Sequence, residues 1–253
     1  MGINTSESLH GKNVLLMFSG GRDSFLSACC LVECGGYVHM ITYNNGCISG
    51  IDAVKTTAAR IVEKYGPSCA TFEGVHSIAG GLYRLQEEYL YQTAEETGKR
   101  YPYILPSQLS CLVCHSAMYV ESIAYCVAHG FQIMAEGARK SQRFFVELPE
   151  MQKRYHDLAA QYGLDLITPV YDLQDDWERK LAMADRGFIP KTAEPQCWIG
   201  CPLRQDLSRE HVASLAAYYD DMILPKLPGY IDQRVQAMKI GAASPTSAVY
   251  NEI

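Results

Sequence analysis

The chain has no apolar run of the roughly 18 residues that a bilayer span needs, and no charged-then-apolar leader precedes Gly11. Neither a membrane span nor a secretory signal is visible, which sets the expectation of a soluble cytoplasmic protein with no membrane partner. Positive charge is also scarce: 22 Lys and Arg face 28 Asp and Glu, a formal net charge of −6. Such a balance supplies no global attraction for a phosphate backbone. A nucleic acid would have to use local clusters, of which Lys99-Arg100, Arg139-Lys140 with Arg143, and Lys153-Arg154 are the candidates. Internal repeats and low-complexity stretches are missing too, so solenoid and fibrous architectures drop out.

What remains is a chain of 253 residues, 48% of them hydrophobic. That suffices for one α/β domain with an elaborated end, or for a domain with a small helical appendage. The sequence divides on this reading into a main domain over 1–206 and a helical C-terminal extension over 207–253.

The stretch that organises the rest is Ser19-Gly20-Gly21-Arg22-Asp23-Ser24. It follows the apolar run Val14 to Phe18 and precedes the helix-like segment Phe25 to Val32, so its glycines fall where a buried strand turns sharply into a helix. Two glycines let backbone approach an anion, Ser19 and Ser24 add hydroxyls, Arg22 adds a charged fork, and the helix points its unpaired N–H groups at the same place. The spacing is neither the Walker G-x-x-x-x-G-K-S/T nor the dinucleotide G-x-G-x-x-G.

Asn13–Phe18 and Tyr37–Tyr43 flank a helix of about Asp23 to Glu33, a βαβ unit whose strands should be parallel neighbours. Further strands are expected at Thr71–His76, Phe131–Ala135 and Leu164–Val170, giving a Rossmann-like α/β fold: a five-stranded parallel sheet with helices on both faces. Helices are expected at Ile51–Tyr65, Leu82–Gly98, Met118–His129, Glu150–Tyr162 and Gln174–Asp185, with Tyr101–Pro106 extended by its prolines. A tail helix over about Ser208–Met222, rich in tyrosine with Tyr218 and Tyr219, is the candidate interface of a homodimer. Ligands on such sheets bind at the strands' carboxyl ends, which puts Ser19–Ser24, Tyr43–Gly46 and the turn Gly137-Ala138-Arg139-Lys140-Ser141-Gln142 on one rim.

An S-G-G-x-D-S stretch after the first strand resembles the PP-loop ATP pyrophosphatases. That resemblance, covering roughly residues 12–206, implies a fold of their kind and an enzyme that holds the triphosphate of ATP with Mg²⁺, transfers AMP to a substrate oxygen and releases pyrophosphate. It implies ATP contacts by Ser19, Gly20, Gly21, Arg22, Asp23 and Ser24, adenine-side contacts by Thr42 and Tyr43, and further contacts by Gly137 and Arg139. Arg22, Arg139 and Lys140 could neutralise phosphate charge, and Asp23 is a candidate anion or Mg²⁺ partner.

Ten cysteines are many for a chain of this size. Cys29, Cys30, Cys34, Cys69 and Cys126 sit among apolar or small neighbours and read as reduced core thiols. Cys111-x-x-Cys114 and Cys197-x-x-x-Cys201 instead offer four soft ligands, suited to tetrahedral zinc or to a 4Fe–4S iron-sulfur cluster. The early pair is similar to the tRNA 2-thiocytidine and 2-thiouridine synthetases, which implies a cluster on Cys111, Cys114 and Cys201 with Cys197 in excess. The late region, Cys197-Trp198 and Cys201-Pro202-Leu203-Arg204, resembles the 7-cyano-7-deazaguanine synthases, which implies zinc. The favoured expectation is the second: adenylation of a carboxyl or amide oxygen on a small 7-deazaguanine-type heterocycle. The alternatives are thiolation of a nucleobase, with a tRNA or protein acceptor left open, and a nucleotide-binding regulatory module without turnover, motivated by the missing acids in 137–142.

Overall fold

The computed structural model describes residues 9–89, 98–102, 104, 106–192, 195–198 and 207–243. Five parallel strands, β1 (Asn13–Met17), β2 (Tyr37–Asn44), β4 (Ala70–Ser77), β5 (Ile133–Glu136) and β6 (Asp165–Ile167), form one sheet in the order β4-β2-β1-β5-β6. All five expected strands are present, and the Rossmann-like α/β expectation is borne out. Chain order reverses between β1 and its neighbour β5, and the crevice at such a switch point is where open α/β sheets hold ligands.

Period-two alternation along the strands divides the core. Val14 and Leu16 of β1 face one side, where they pack with Phe25 and Leu26 of α1 (Arg22–Glu33) and with Val54, Ala58 and Ile61 of α2 (Ala53–Tyr65). Leu15 faces the other, against α3 (Ala79–Tyr89), α4 (Pro106–His129) and α5 (Pro149–Ala160). Met183 of α6 (Asp176–Asp185) joins the first layer; α7 (Arg209–Tyr218) and α8 (Leu227–Ala243) join the second through Leu215, Leu227 and Ile231.

Three departures from the sequence reading matter for the site. α4 begins at Pro106, not Met118: Pro106 starts a helix, because at a first-turn position its missing N–H costs nothing. Cys111 and Cys114 therefore lie inside a helix, three residues apart on one face. Tyr218 and Tyr219 are fully buried in the core and are not available as an interface surface. Finally, β3 (Ile48–Ser49) and β7 (Gln196–Cys197) pair antiparallel in a two-stranded ribbon that periodicity did not foresee. α4 is also the one described helix long and apolar enough to cross a membrane, yet Leu112, Val113, Tyr119 and Ile123 on it are wholly buried within the protein.

Candidate functional site

The turn after β1 leaves the sheet through Gly20, whose φ of +76° favours glycine, and enters α1 with Gly21 as N-cap. No side chain caps α1. Ser24 Oγ donates to the Gly21 carbonyl at 3.1 Å, and the Ser19 and Ser24 hydroxyls lie 3.1 Å apart. The neighbouring rim segment is pressed against this turn: a Cβ on Gly137 would sit 2.6 Å from the Ser24 nitrogen, inside backbone contact distance. Gly137 therefore admits the close approach of β5 to the helix start, and the cradle it shapes opens on a cavity of about 360 Å³ lined by Ser19, Gly21, Asp23, Ser24, Thr42 and Gly137 among others. This shape suits the anionic end of a nucleotide.

Asp23 is the charge hub of the rim. Arg179 Nη1 donates to both of its oxygens at 2.9 Å, Gln142 Nε2 donates to Oδ2 at 2.9 Å, and Arg139 Nε lies 3.4 Å from Oδ1 as a charge contact. Arg139 and Arg179 are both buried, so Asp23 offsets two guanidinium charges that water cannot reach. Arg179, on α6, was not legible in the sequence: only the fold brings it across 156 residues to Asp23. Arg22 turns instead to Asp176, 3.1 Å away, and Lys140 is exposed at the head of a short 3₁₀ turn. Thr42 is buried, its hydroxyl donating to the Phe18 carbonyl at 2.5 Å, a tie between β1 and β2. Tyr43 reaches α4, where its hydroxyl lies 2.8 Å from Ser122 Oγ.

The floor of the cavity carries acids that sequence reasoning passed over. Glu136, at the end of β5, is buried; Gln152 Nε2 donates to its Oε1 at 2.7 Å. Burial pushes its carboxyl up to about 7, against the smaller lowering by its hydrogen bonds. Glu147 is raised well above the usual range by burial and then by the neighbouring charges of Glu136 and Asp23. Its Oε2 is buried without a partner, as is His115 Nδ1. Burial holds His115 down to about 4, so it is neutral at physiological pH and its 3.6 Å approach to Glu136 is not an ion pair.

A second cavity, about 330 Å³ and mostly apolar, abuts the first: His115, Met118, Phe144, Val146 and Cys197 line both. Cys111, Cys114 and Cys197, three of the four candidate ligands, all line it. Cys201 lies outside the described residues. Cys47, which the sequence reading did not single out, is drawn in by the β3–β7 ribbon: Trp198 N–H donates to the Cys47 carbonyl at 2.9 Å. Its place directly after the Tyr43–Gly46 rim turn was the available signal. Burial raises the Cys114 thiol to about 11, opposed chiefly by a hydrogen bond from Asn45, with Cys197, Cys111 and Cys47 all near enough to act on it.

The donor set fits a metal–sulfur centre in chemistry, with three soft thiols, Cys111, Cys114 and Cys197, on the wall of one cavity and the Asn45 amide between two of them. Among the described residues no three His, Cys, Asp or Glu side chains yet converge tightly on one point. A lone zinc needs sulfurs about 2.3 Å from one centre, whereas a cubane cluster holds its thiolates farther apart.

The architecture defines an α/β fold of the Rossmann-like kind. Among solved structures it is similar to a 4-thiouridine synthetase in complex with RNA and with bound ATP, at a TM-score of 0.61 and 12% identity over 90% of this chain. That alignment covers 54% of the synthetase, so the chain spans about half its length. A U34-tRNA thiolase from Methanococcus maripaludis, solved with its 4Fe–4S cluster, aligns at a TM-score of 0.48 and 15% identity over 94% of this chain and 75% of that one. A predicted tRNA methyltransferase subunit from Methanocaldococcus jannaschii aligns at 0.44 and 22%, over 68% and 74%. The first likeness establishes a shared fold; the other two, with lower TM-scores, add nothing to it. No family model matches the chain, and no curated protein matches it in sequence.

Proposed function

We propose that the protein is an ATP-dependent adenylating enzyme that activates an oxygen on a small planar heterocycle and replaces it with sulfur. The observation that carries this reading is the shared wall: the cradle for a triphosphate and the thiol-lined apolar cavity meet along His115, Met118, Phe144, Val146 and Cys197. A substrate oxygen presented across that wall attacks the α-phosphorus and pyrophosphate leaves; a sulfide-level nucleophile from the thiol side then adds to the activated carbon, and the C–O bond breaks with AMP carrying off the oxygen. In this reading Ser19, Gly20, Gly21 and Ser24 hold phosphate oxygens, with Asp23 meeting Mg²⁺ or holding Arg139 and Arg179 in place for the pyrophosphate. Cys111, Cys114 and Cys197, the three thiols on that cavity, would hold the metal centre and leave one position open. Such a centre, when bound, supplies a site at which sulfide is carried to the substrate.

The charge distribution supports a small acceptor over RNA. Arg100 pairs with Asp221, Lys153 with Asp157, Arg154 with Asp220 and Arg139 with Asp23, so the basic clusters of the sequence are largely neutralised. A cavity of about 330 Å³ matches the range of small-ligand pockets. The second reading is the deazaguanine-type synthase with zinc, favoured by the fourth thiol that Cys201 adds in the sequence to Cys111, Cys114 and Cys197, where a sulfur carrier needs three. Parallel incubations with ATP, either sulfide or ammonium, and a panel of free oxo- and carboxy-heterocycles, followed by mass spectrometry, test the choice. Pyrophosphate and AMP release with a thiolated product supports the first reading, a nitrogen-for-oxygen product supports the second, and no pyrophosphate with any acceptor removes both.

A further inference from the structure

Asn45 occupies a position that neither the nucleotide nor the thiol reading assigns. It follows β2 at the rim, and its carboxamide is fully committed. Oδ1 accepts the Cys47 N–H at 2.8 Å, while Nδ2 lies 3.4 Å from Cys114 Sγ and 3.6 Å from Cys197 Sγ. The orientation is fixed by this network, since the flipped amide would set one donor against the Cys47 N–H and leave an oxygen facing two sulfurs. Cys114 comes from α4 and Cys197 from the β7 return, so a single side-chain nitrogen bridges sulfurs 83 residues apart in sequence.

We propose that Asn45 is the positioning residue of the thiol site: its amide bridges Cys114 and Cys197 and would donate to their sulfurs when they hold a metal–sulfur centre. The inference rests on the reading of that cavity as a metal–sulfur site. The physical ground is that an N–H donor facing sulfur gains most when the sulfur carries charge, which it does as a ligand. Hydrogen bonds to ligand sulfurs also set the potential of such centres. The same amide ties the loop through Cys47, so its effect on the metal must be separated from its effect on the fold.

Asn45→Asp makes that separation. The carboxylate keeps an oxygen for the Cys47 N–H but turns an acceptor toward the sulfurs; Asn45→Ala removes both contacts. Full-length wild type and both variants are reconstituted anaerobically with ferrous iron and sulfide, and the rate of iron loss to a chelator is followed beside the reduction potential and the metal-free melting temperature. We expect N45D to melt with the wild type yet lose iron at least about ten-fold faster, in line with the ten- to hundred-fold effect of outer-shell groups. N45A should lose it comparably fast and show a lower potential. Wild-type retention and potential in N45D and N45A overturn the proposal. Failure of the wild type to take up iron and sulfide instead removes the metal–sulfur reading of the cavity, and the proposal falls with it.

Discussion

Replacing Glu136 by Gln should make the protein more stable, and increasingly so as pH rises. Glu136 is 4% exposed at the end of β5 and no cation pairs with it; its close neighbours are Gln152 and Tyr119, a neutral His115, and Glu147, another acid. Its folded-state value is about 7 against an ordinary 4.5. The sign follows from proton counting. Between those values the folded protein keeps a proton that the unfolded chain has released, so raising pH destabilises the fold through that window. Below about 4.5 both states are protonated and nothing is lost; above about 7 the loss is complete. At 1.36 kcal/mol per pH unit the gap amounts to about 3 kcal/mol, set by the burial of Glu136. Gln has the same shape and still accepts from Gln152, so its effect on packing does not vary with pH. Urea unfolding of E136Q and wild type from about pH 4 to about pH 8 reads the difference directly. A stability gap near zero at the acid end that widens to about 3 kcal/mol is expected; a gap that does not change with pH refutes the burial argument.

Gly137→Ala should weaken ATP binding at least about ten-fold and cost about 1–3 kcal/mol of stability, since its Cβ meets the Ser24 backbone and not a movable side chain; calorimetric titration and thermal melts check both. Arg179→Met leaves Asp23 with Arg139 and Gln142 and should lower pyrophosphate release by about 100-fold while ATP still binds, measured by a coupled pyrophosphate assay. Thr42→Val removes the tie to the Phe18 carbonyl and should cost about 1 kcal/mol in denaturant unfolding; calorimetric titration of ATP on the same variant reads whether its place on the cavity wall also contributes to nucleotide affinity.

What could be read in advance follows the range of the interactions. β1, the loop and α1 were legible because a buried strand, two glycines and an apolar helix face are local signals, and the parallel pairing of β1 with β2 follows from the short crossover. The start of α4 was misread because proline disfavours helix before itself but favours it at the first turn, and the first rule was applied where the second won. Arg179 was not legible, lying 156 residues from its partner; Cys47 had only its place after the rim turn to mark it, because the two-residue ribbon that positions it is too short to leave a periodicity. Glu136 was visible as a residue but not as an acid held protonated, since its burial depends on α4 and α5 closing over it.

The account turns on what the thiol cavity holds. Iron, zinc and acid-labile sulfide should be determined on anaerobically purified wild type beside Cys114→Ala and Cys197→Ala. The sulfur-transfer reading predicts about four irons with matching sulfide per chain, lost with Cys114, and a coloured protein. About one zinc per chain without sulfide, lost in both variants, would contradict it and turn the assignment to the deazaguanine-type synthase.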